Sequence, residues 1–232
     1  MLEKILIVGG TGRTGQIIVR NLVASGIYPQ LLVRDLSKAE TLFGASLIYH
    51  VGDVREYETL LNPMEGMQAV ISAVGTSSPV GKNCPKRVDY EGVANMVRAA
   101  QSMGVQRFIL ISSIAVTHPE HPLNRFGKIL DWKLKGEEAL RHSGLDYAIV
   151  RPGGLKDTPG GCHPLVFDQG DHILGTISRE DLADTCLQAL NDLQQIPVTF
   201  EVVEADQKGC PDWAQLLAAL VPDEKCSDDL GF

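Results

Sequence analysis

The sequence lacks the features that three classes of protein require. Its apolar runs fall well short of the roughly 20 residues that a membrane-spanning helix needs, and no charged segment followed by an apolar stretch and a small-residue cleavage site precedes the first predicted strand. Positive charge is also scarce, since 21 Lys and Arg residues stand against 29 Asp and Glu residues and the net charge is -8. A chain of this charge repels a phosphate backbone. We therefore expect a cytoplasmic protein that binds neither a membrane nor nucleic acid.

The sequence contains cysteines, but their spacing is not that of a disulfide framework or a zinc site. The cysteines are odd in number, lie far apart and form no Cys-x-x-Cys pair; they are Cys84, Cys162, Cys186, Cys210 and Cys226. Such a pattern predicts neither a disulfide framework nor a zinc site. We expect free thiols in a reducing compartment and no bound metal.

What the sequence does contain is a series of short apolar runs separated by segments with helical periodicity. The runs cover residues 4–8, 30–33, 47–51, 68–74, 107–111, 147–150 and 198–203. Continuous apolar runs are typical of strands buried on both faces, which occur in parallel sheets covered by helices. The pattern predicts an α/β fold with a doubly wound parallel sheet, the Rossmann fold, in a single domain over residues 1–222. Residues 223–232 are predicted to be a flexible tail, and the protein is expected to be a monomer or a small homo-oligomer.

Three glycines spaced by three, Gly9, Gly12 and Gly15, follow the first run and open a helical segment. Glycine allows a pyrophosphate to approach the backbone closely, and the N-terminus of the following helix offers unpaired N–H groups and the positive end of its dipole. Because strand, spacing and helix agree, the segment predicts a dinucleotide site rather than a plain tight turn. The predicted binding residues here are Gly9, Thr11, Gly12, Arg13, Thr14 and Gly15.

The end of the second run indicates which dinucleotide is bound. An acidic residue at this place would accept hydrogen bonds from the adenosine ribose and repel a 2′-phosphate, but the run is followed by Arg34. Arg13 in the glycine turn can reach the same side, and two guanidinium groups suit a phosphate. We predict NADP(H) as the cofactor. NAD(H) is the alternative, because Asp35 follows one position later.

Other strand ends are expected at the same edge of a parallel sheet. Asp53 follows the third run, where it can accept a hydrogen bond from the adenine amino group or cap the next helix. The segment 73–75 ends the fourth run, and its glycine lets the backbone pass beside the cofactor. The further predicted cofactor residues are Asp53, Val54, Ala73, Val74, Gly75, Pro152 and Gly153. Loops at about 112–125 and 153–175 are predicted to lie on the substrate side.

Several stretches, taken in order, resemble the atypical short-chain dehydrogenase/reductases. These are GGTGRTG, VRD, GDV, VDYEGVANMVRAAQSMGVQRFILISS, WKLKGEEALRHSGLDYAIVRPGGL and ISREDLAD. The most similar in pattern are single-domain NAD(P)H-binding members, which include NmrA-like regulators and the flavin and biliverdin reductases. The resemblance implies a Rossmann fold with the cofactor at the glycine turn. It leaves the activity open, because members range from reductases and isomerases to redox-sensing proteins without turnover.

The resemblance also implies a catalytic serine after the fifth strand and a Tyr-x-x-x-Lys pair on the next helix. Ser113, or its neighbour Ser112, matches the serine, and Lys135 matches the lysine. Asp131 stands where the tyrosine is expected, and an ionised carboxylate is a poor proton donor. Lys135 is therefore expected to orient the nicotinamide ribose, and Ser113 to contact the substrate or the carboxamide.

Without that tyrosine, dehydrogenation of a simple alcohol is disfavoured. Hydride transfer to a conjugated small molecule such as a flavin, a quinone or a linear tetrapyrrole is favoured instead, since the product is a delocalised anion that water can protonate. The alternatives are an NADP(H)-binding redox sensor or assembly factor without turnover, and an NAD(P)-dependent epimerase or dehydratase. Other candidate proton donors are Tyr90, His118, His121 and His163, although histidines in such loops are more often simply exposed.

Overall fold

The computed structural model describes residues 2–76, 78–193 and 196–224. Cys226 and most of the predicted flexible tail lie outside the described residues. The strands are β1 Ile5–Val8, β2 Gln30–Val33, β3 Ile48–Val51, β4 Ala69–Ser72, β5 Arg107–Ile111, β6 Asp146–Pro152, β7 Gly154–Lys156, β8 Leu165–Asp168, β9 Thr176–Ser178 and β10 Val198–Glu204. The α-helices are α1 Arg13–Ala24, α2 Leu36–Phe43, α3 Glu58–Met64, α4 Val93–Ser102, α5 Ile129–Arg141, α6 Arg179–Asp192 and α7 Trp213–Ala218. A π-helical segment, Lys86–Gly92, leads directly into α4.

Eight strands form one sheet in the order β3-β2-β1-β4-β5-β6-β10-β8. Neighbouring strands are parallel except β10 and β8, while β7 and β9 form a separate parallel pair. The chain moves outward from β1 to β3 and then returns to place β4 on the other side of β1. This reversal of strand order opens a crevice at the carboxyl ends of β1 and β4, where open α/β sheets bind their ligands.

Helices cover both faces of the sheet, and each face has its own apolar core. In β1, Ile5 and Ile7 belong to one core, whereas Leu6 and Val8 belong to the other. α1 and α6 pack together over the first face, and α3 and α4 over the second. Burial on both sides explains why the strands read as continuous apolar runs rather than as alternating patterns.

This architecture confirms the predicted doubly wound α/β fold, and each predicted apolar run overlaps a strand. The sequence analysis missed β7, β8 and β9, which are only three or four residues long and partly exposed. The predicted substrate-side loop at 153–175 therefore contains two short strands, β7 and β8. β7 and β9 have only three residues each, and all three strands are partly exposed, so their sequences lack the continuous apolar run of a strand buried on both faces.

Candidate functional site

The glycine turn between β1 and α1 is too tight for side chains. Gly9 has a φ of +86°, and its carbonyl accepts a hydrogen bond from the Gly12 N–H at 3.0 Å. A Cβ atom on Gly9 would lie 2.7 Å from the carbonyl of Ala73, and one on Gly15 would lie 2.3 Å from the Gly9 oxygen. α1 then begins at Arg13 without a side-chain cap on its first N–H groups. The turn thus presents bare backbone and uncapped donors, which fit a pyrophosphate.

A cleft of about 210 Å³, which we call the nucleotide cleft, opens beside this turn at the carboxyl ends of the strands. Many residues predicted to bind the cofactor line it, namely Gly9, Thr11, Gly12, Arg34, Asp53, Val54, Ala73, Val74 and Gly75. Lining residues that the sequence reasoning missed include Lys38, Gly52, Arg55, Asn83 and Val88. Bare backbone beside apolar walls and cationic side chains suits a dinucleotide.

Two cations line the nucleotide cleft next to β2. Arg34 follows β2 and donates from Nη1 to Oδ1 of Asn83 at 3.3 Å. Lys38 lies four residues further on, in α2, and lines the same cleft. Both side chains are exposed and flexible enough to meet an anionic group at this end. Arg34 precedes the N-cap of α2, whereas Lys38 lies within the helix, so no helical spacing relates the two and the sequence contains no signal that could have revealed Lys38.

The carboxylate that could favour NAD is engaged elsewhere. Oδ1 of Asp35 accepts hydrogen bonds from the Lys38 N–H at 3.0 Å and from the Ser37 hydroxyl at 2.8 Å, so Asp35 caps α2. These bonds, with that from the Lys38 backbone foremost, lower the pKa of Asp35. Asp35 is not among the residues that line the nucleotide cleft. Its carboxylate therefore serves as the cap of α2 and does not face the space where an adenosine ribose would bind.

Asp53 forms an ion pair at the edge of the nucleotide cleft. Arg55 donates from Nε to Oδ1 of Asp53 at 2.8 Å, and from Nη1 to the Lys82 carbonyl at 2.7 Å. The hydrogen bond from the Arg55 side chain is the main cause that lowers the pKa of Asp53, and it outweighs burial. An adenine amino group would therefore have to share this carboxylate with Arg55.

Arg13 contacts an acidic residue instead of lining the nucleotide cleft. Its Nη1 lies 2.8 Å from Oδ2 of Asp157, whose Oδ1 lies 2.6 Å from Nη1 of Arg179. Thr14 and Gly15, also predicted to bind the cofactor, lie in the first turn of α1 and do not line the cleft. Asp157 thus joins the N-termini of α1 and α6.

A second cavity, of about 10 Å³, adjoins the nucleotide cleft because Val74 lines both. In it, Nζ of Lys133 lies 2.9 Å from Oδ1 of Asp89; the Lys133 side chain is 15% exposed and that of Asp89 is 1% exposed. Oδ2 of Asp89 accepts a hydrogen bond from the Thr76 N–H at 3.3 Å. The buried hydroxyl of Ser112 has no hydrogen-bond partner among the described residues. An ammonium and an unsatisfied hydroxyl therefore line one small space, the Lys133 cavity.

The two residues predicted to be catalytic do not line the Lys133 cavity. Nζ of the exposed Lys135 lies 4.8 Å from the ring centroid of Trp132, a cation–π contact. Ser113 donates its hydroxyl to the next carbonyl along the chain at 3.0 Å. Lys133 and Lys135 stand two positions apart on α5, which separates their side chains by about 200° around the helix. Of the two lysines, Lys133 is the one that shares a cavity with Ser112.

The other candidate proton donors also have partners away from both cavities. His118 and His163 each contact a backbone carbonyl oxygen, at 2.9 and 3.0 Å, and His121 accepts a hydrogen bond from a backbone N–H at 3.3 Å. Tyr90 stacks on Trp132 with ring centroids 5.9 Å apart. These side chains therefore hold loops and helices together, and they do not line the Lys133 cavity.

Buried charges fix the end of β6 against α5 and β10. Arg151 donates to Glu137 from Nη2 at 2.7 Å and from Nε at 3.1 Å, and to Glu201 from Nη1 at 3.1 Å. Both glutamate side chains are fully buried, and that of Arg151 is 5% exposed. Burial alone would lower the pKa of Arg151, but the two glutamates raise it overall. This ion-pair network holds β6, the strand that ends at Pro152 and leads to Gly153.

Pro152 and Gly153 follow in sequence but do not line either cavity. The Pro152 carbonyl accepts a hydrogen bond from the Ile114 N–H at 3.1 Å. A Cβ atom on Gly153 would lie 2.5 Å from the Gly175 oxygen, so this glycine lets β6 pack against the loop that leads to β9. The structure gives both residues a part in holding loops.

The loop after β4 extends from the Lys133 cavity to the loop that precedes α5. Near its start lies Thr76, whose N–H donates to Asp89. Further along, the carbonyl oxygen of Pro79 would lie only 2.6 Å from a Cβ atom on Gly127, which has a φ of +61°. The two loops are therefore in close backbone contact.

Within residues 2–76, 78–193 and 196–224, no helix has the length and apolar character needed to cross a bilayer. In that part of the chain, no three His, Cys, Asp or Glu side chains converge in a way that could hold a metal ion.

Comparison with known proteins gives relatives with different roles. The chain is 30% identical over 228 residues to sanguinarine reductase from Eschscholzia californica, with 80% of this chain and 83% of that protein covered. It is 30% identical over 224 residues to the photosystem II assembly factor Ycf39 from Synechocystis sp., with 92% of this chain and 66% of that protein covered. The chain spans 65% to 83% of the length of three curated plant relatives.

A solved structure and a family model agree with the fold. The structure of a putative NAD-dependent epimerase/dehydratase from Bacillus halodurans has a TM-score of 0.78 and 26% identity, with 93% of this chain and 99% of that chain covered. A family model described as NAD(P)H-binding matches residues 9–193. With the glycine turn and the nucleotide cleft, these similarities show that the chain belongs to the NAD(P)H-binding family of atypical short-chain dehydrogenase/reductases.

Proposed function

We propose that this protein is an NADPH-dependent oxidoreductase that transfers hydride to a conjugated small molecule. The observation that carries the proposal is the junction at Val74, where the nucleotide cleft adjoins the Lys133 cavity. A dinucleotide whose phosphates bind the glycine turn would have its adenosine end toward Arg34 and Lys38 and its nicotinamide end toward this cavity. The cleft and the cavity are thus parts of one candidate active site.

The chain's own residues supply position and charge at the nicotinamide end, while bound NADPH supplies the hydride. In the proposal, Lys133 donates hydrogen bonds from its ammonium to the hydroxyls of the nicotinamide ribose, and Asp89 holds that ammonium in place. The Ser112 hydroxyl is available to the carboxamide or the substrate, because no described protein group uses it. The roles predicted for Lys135 and Ser113 are therefore assigned to Lys133 and Ser112.

The acceptor is proposed to be one that needs no acid from the protein. In the Tyr-x-x-x-Lys pair the acid stands four residues before the lysine. That position holds Ile129 for Lys133 and Asp131 for Lys135, and neither is a tyrosine. Oδ1 of Asp131 accepts a hydrogen bond from Nδ2 of Asn124 at 2.8 Å. The alkoxide formed from a simple ketone would need a positioned acid, whereas the delocalised anion of a reduced flavin, quinone or tetrapyrrole takes its proton from water. The similarity to sanguinarine reductase supports a reductase role.

The proposal is tested by steady-state oxidation of NADPH with quinones, flavins and linear tetrapyrroles. We expect turnover with at least one acceptor well above the rate without protein, and its loss in Gly9→Ala, because the new Cβ would meet the Ala73 carbonyl. Gly26→Ala is the matched control, since Gly26 has a similar φ of +82° and nothing lies within 4 Å of its Cβ position. Tight NADPH binding without turnover on any acceptor would contradict the proposal.

That outcome would favour a second candidate function, an NADP(H)-binding regulatory or assembly protein without turnover. The missing tyrosine and the similarity to the assembly factor Ycf39 support this candidate. An epimerase or dehydratase is the third alternative, and the name of the Bacillus halodurans protein supports it. Chemistry of that kind relies on the positioned acid that is missing here.

The choice of NADPH over NADH depends on the cations beside β2. Arg34→Asp should weaken NADPH binding by about 10- to 100-fold, because the charge-assisted hydrogen bonds that it removes are worth about 1.5–3 kcal/mol. NADH binding should change little. Isothermal titration with both cofactors measures the difference. Arg20→Asp is the matched control, because it reverses the same charge on the exposed surface of α1. Equal affinity of the wild type for both cofactors, unaltered by Arg34→Asp, would refute the assignment.

A further inference from the structure

Two exposed thiols lie against the same short stretch of backbone. Sγ of Cys162 lies 3.5 Å from the Gly160 carbonyl oxygen, and Sγ of Cys210 lies 3.6 Å from the Gly161 carbonyl oxygen. Both cysteines are free and exposed. They are 48 positions apart in sequence, so their proximity is a product of the fold.

The backbones that carry these thiols are hydrogen-bonded to each other. The Gly209 N–H donates to the Cys162 carbonyl at 3.2 Å, and the Ala205 N–H donates to the Pro164 carbonyl at 2.8 Å. Nδ1 of His163 lies 3.0 Å from the carbonyl oxygen of Gln207. Residues 162–164 and 205–210 therefore run side by side, so the two cysteines lie on neighbouring segments.

The other described cysteines are in different environments. Cys186 is fully buried, and burial raises the pKa of its thiol. Cys84 is half-buried, in the loop after β4. Thiol oxidation depends on access to solvent, so the exposed pair is the part of the described chain that an oxidant would reach first.

The segment 157–163, which we call the Asp157 arm, connects this pair to the glycine turn. Its middle is held at the start of α6, where Glu180 accepts a hydrogen bond from the Gly160 N–H at 2.9 Å and Asp181 accepts one from the Gly161 N–H at 2.7 Å. Its first residue, Asp157, is the carboxylate that contacts Arg13 at 2.8 Å. One end of the arm therefore carries a thiol and the other end contacts the first residue of α1.

We propose that Cys162 and Cys210 form a reversible disulfide that sets the mobility of the Asp157 arm. A peroxide is the oxidant: one thiolate attacks a peroxide oxygen to give a sulfenic acid, and the second thiolate displaces hydroxide from that sulfur. Two thiols lose two electrons and two protons, the O–O bond breaks, and hydrogen peroxide ends as two waters. The disulfide keeps the Asp157 carboxylate in contact with Arg13, next to the glycine turn where the cofactor pyrophosphate is proposed to bind.

The disulfide itself is tested without reference to the cofactor. After treatment of the full chain with hydrogen peroxide, mass spectrometry of a non-reduced digest should show one linked peptide pair containing Cys162 and Cys210, and dithiothreitol should remove it. Cys162→Ser and Cys210→Ser should each abolish the link, whereas Cys84→Ser should retain it. Separate sulfinic acids, a link between two chains, or two thiols still free after treatment would overturn the proposal.

The coupling to the arm is tested by NADPH affinity in the oxidised and reduced states, and this part depends on the proposed cofactor site. We expect oxidation to raise the Kd by up to about fivefold, the scale of one exposed ion pair. Asp157→Asn should remove that difference while the linked peptide still forms. A linked peptide with no change of Kd would overturn the coupling. Absence of NADPH binding in both states would contradict the proposed function, while the linked peptide alone would still support the disulfide.

Discussion

Lys133→Met should lower kcat/KM for NADPH-dependent reduction by about 100-fold or more, the scale of losing a residue that positions the nicotinamide for reaction. Lys135→Met should leave kcat/KM within about twofold. The reason is the placement of the two ammonium groups, since Lys133 lines the cavity with Ser112 and Lys135 lies over the Trp132 ring. Steady-state kinetics of both variants with the same acceptor measures the effect. Equal losses in the two variants would contradict the assignment.

An effect of Lys133→Met on kcat/KM has to be separated from its effect on the free energy of unfolding. Lys133→Met leaves the buried carboxylate of Asp89 without its ammonium, and breaking a buried ion pair costs about 3–5 kcal/mol. The double variant Lys133→Met/Asp89→Asn removes both charges, so it should recover most of the unfolding free energy but not kcat/KM. Urea unfolding of each variant provides the first quantity. A double variant with wild-type kcat/KM would show that Lys133 is only a structural residue.

Arg151→Met should lower the free energy of unfolding by about 3–5 kcal/mol, because it leaves the buried Glu201 without its arginine and the buried Glu137 with only the more exposed Arg141. Glu137 and Glu201 are both fully buried in the structure. Arg141→Met is the matched control: Arg141 also contacts Glu137, at 2.8 Å, but its side chain is 20% exposed, and we expect a loss of about 1 kcal/mol or less. Urea unfolding at neutral pH compares the two. Similar losses would contradict this account of the network.

The same variant should have an altered pH dependence. Burial raises the pKa of Glu201, and the Asp171 N–H and Arg151 offset part of that rise. In Arg151→Met the offset from arginine is lost, so the native state holds a proton on Glu201 more readily than the unfolded state does. The variant should therefore gain stability as the pH falls from about 7 to about 5. A variant that loses stability over this interval would contradict the argument.

The sequence was sufficient to predict the elements that repeat a simple pattern. The seven strands read as apolar runs are buried from both sides or paired along the sheet, and Gly9 and Gly15 of the first turn are required because a Cβ atom there would lie 2.3 to 2.7 Å from backbone atoms. Burial on both faces selects apolar residues, and close backbone contact selects glycine, so both constraints can be read from the residue types along the chain. The partly exposed strands β7, β8 and β9 depend on distant partners, and their sequences carry little sign of pairing.

Side-chain assignments were harder to predict because they depend on rotation and on remote partners. The stretch WKLK offers two lysines, and only the direction of α5 decides that Lys133 meets Asp89 while Lys135 meets Trp132. Arg13 fits the glycine pattern in sequence, yet its partner is Asp157, 144 positions away. The cytoplasmic location, the oligomeric state and the roles of the site residues stay predictions.

The size of the Lys133 cavity has a consequence for the order of events in a catalytic cycle. About 10 Å³ is close to the space that one water occupies, so no aromatic acceptor fits beside Lys133 in the cavity as the structure shows it. In the proposed reaction, turnover therefore has to include a widening of this cavity, and we expect the rate of that widening to set an upper limit on kcat that is independent of the acceptor's redox potential.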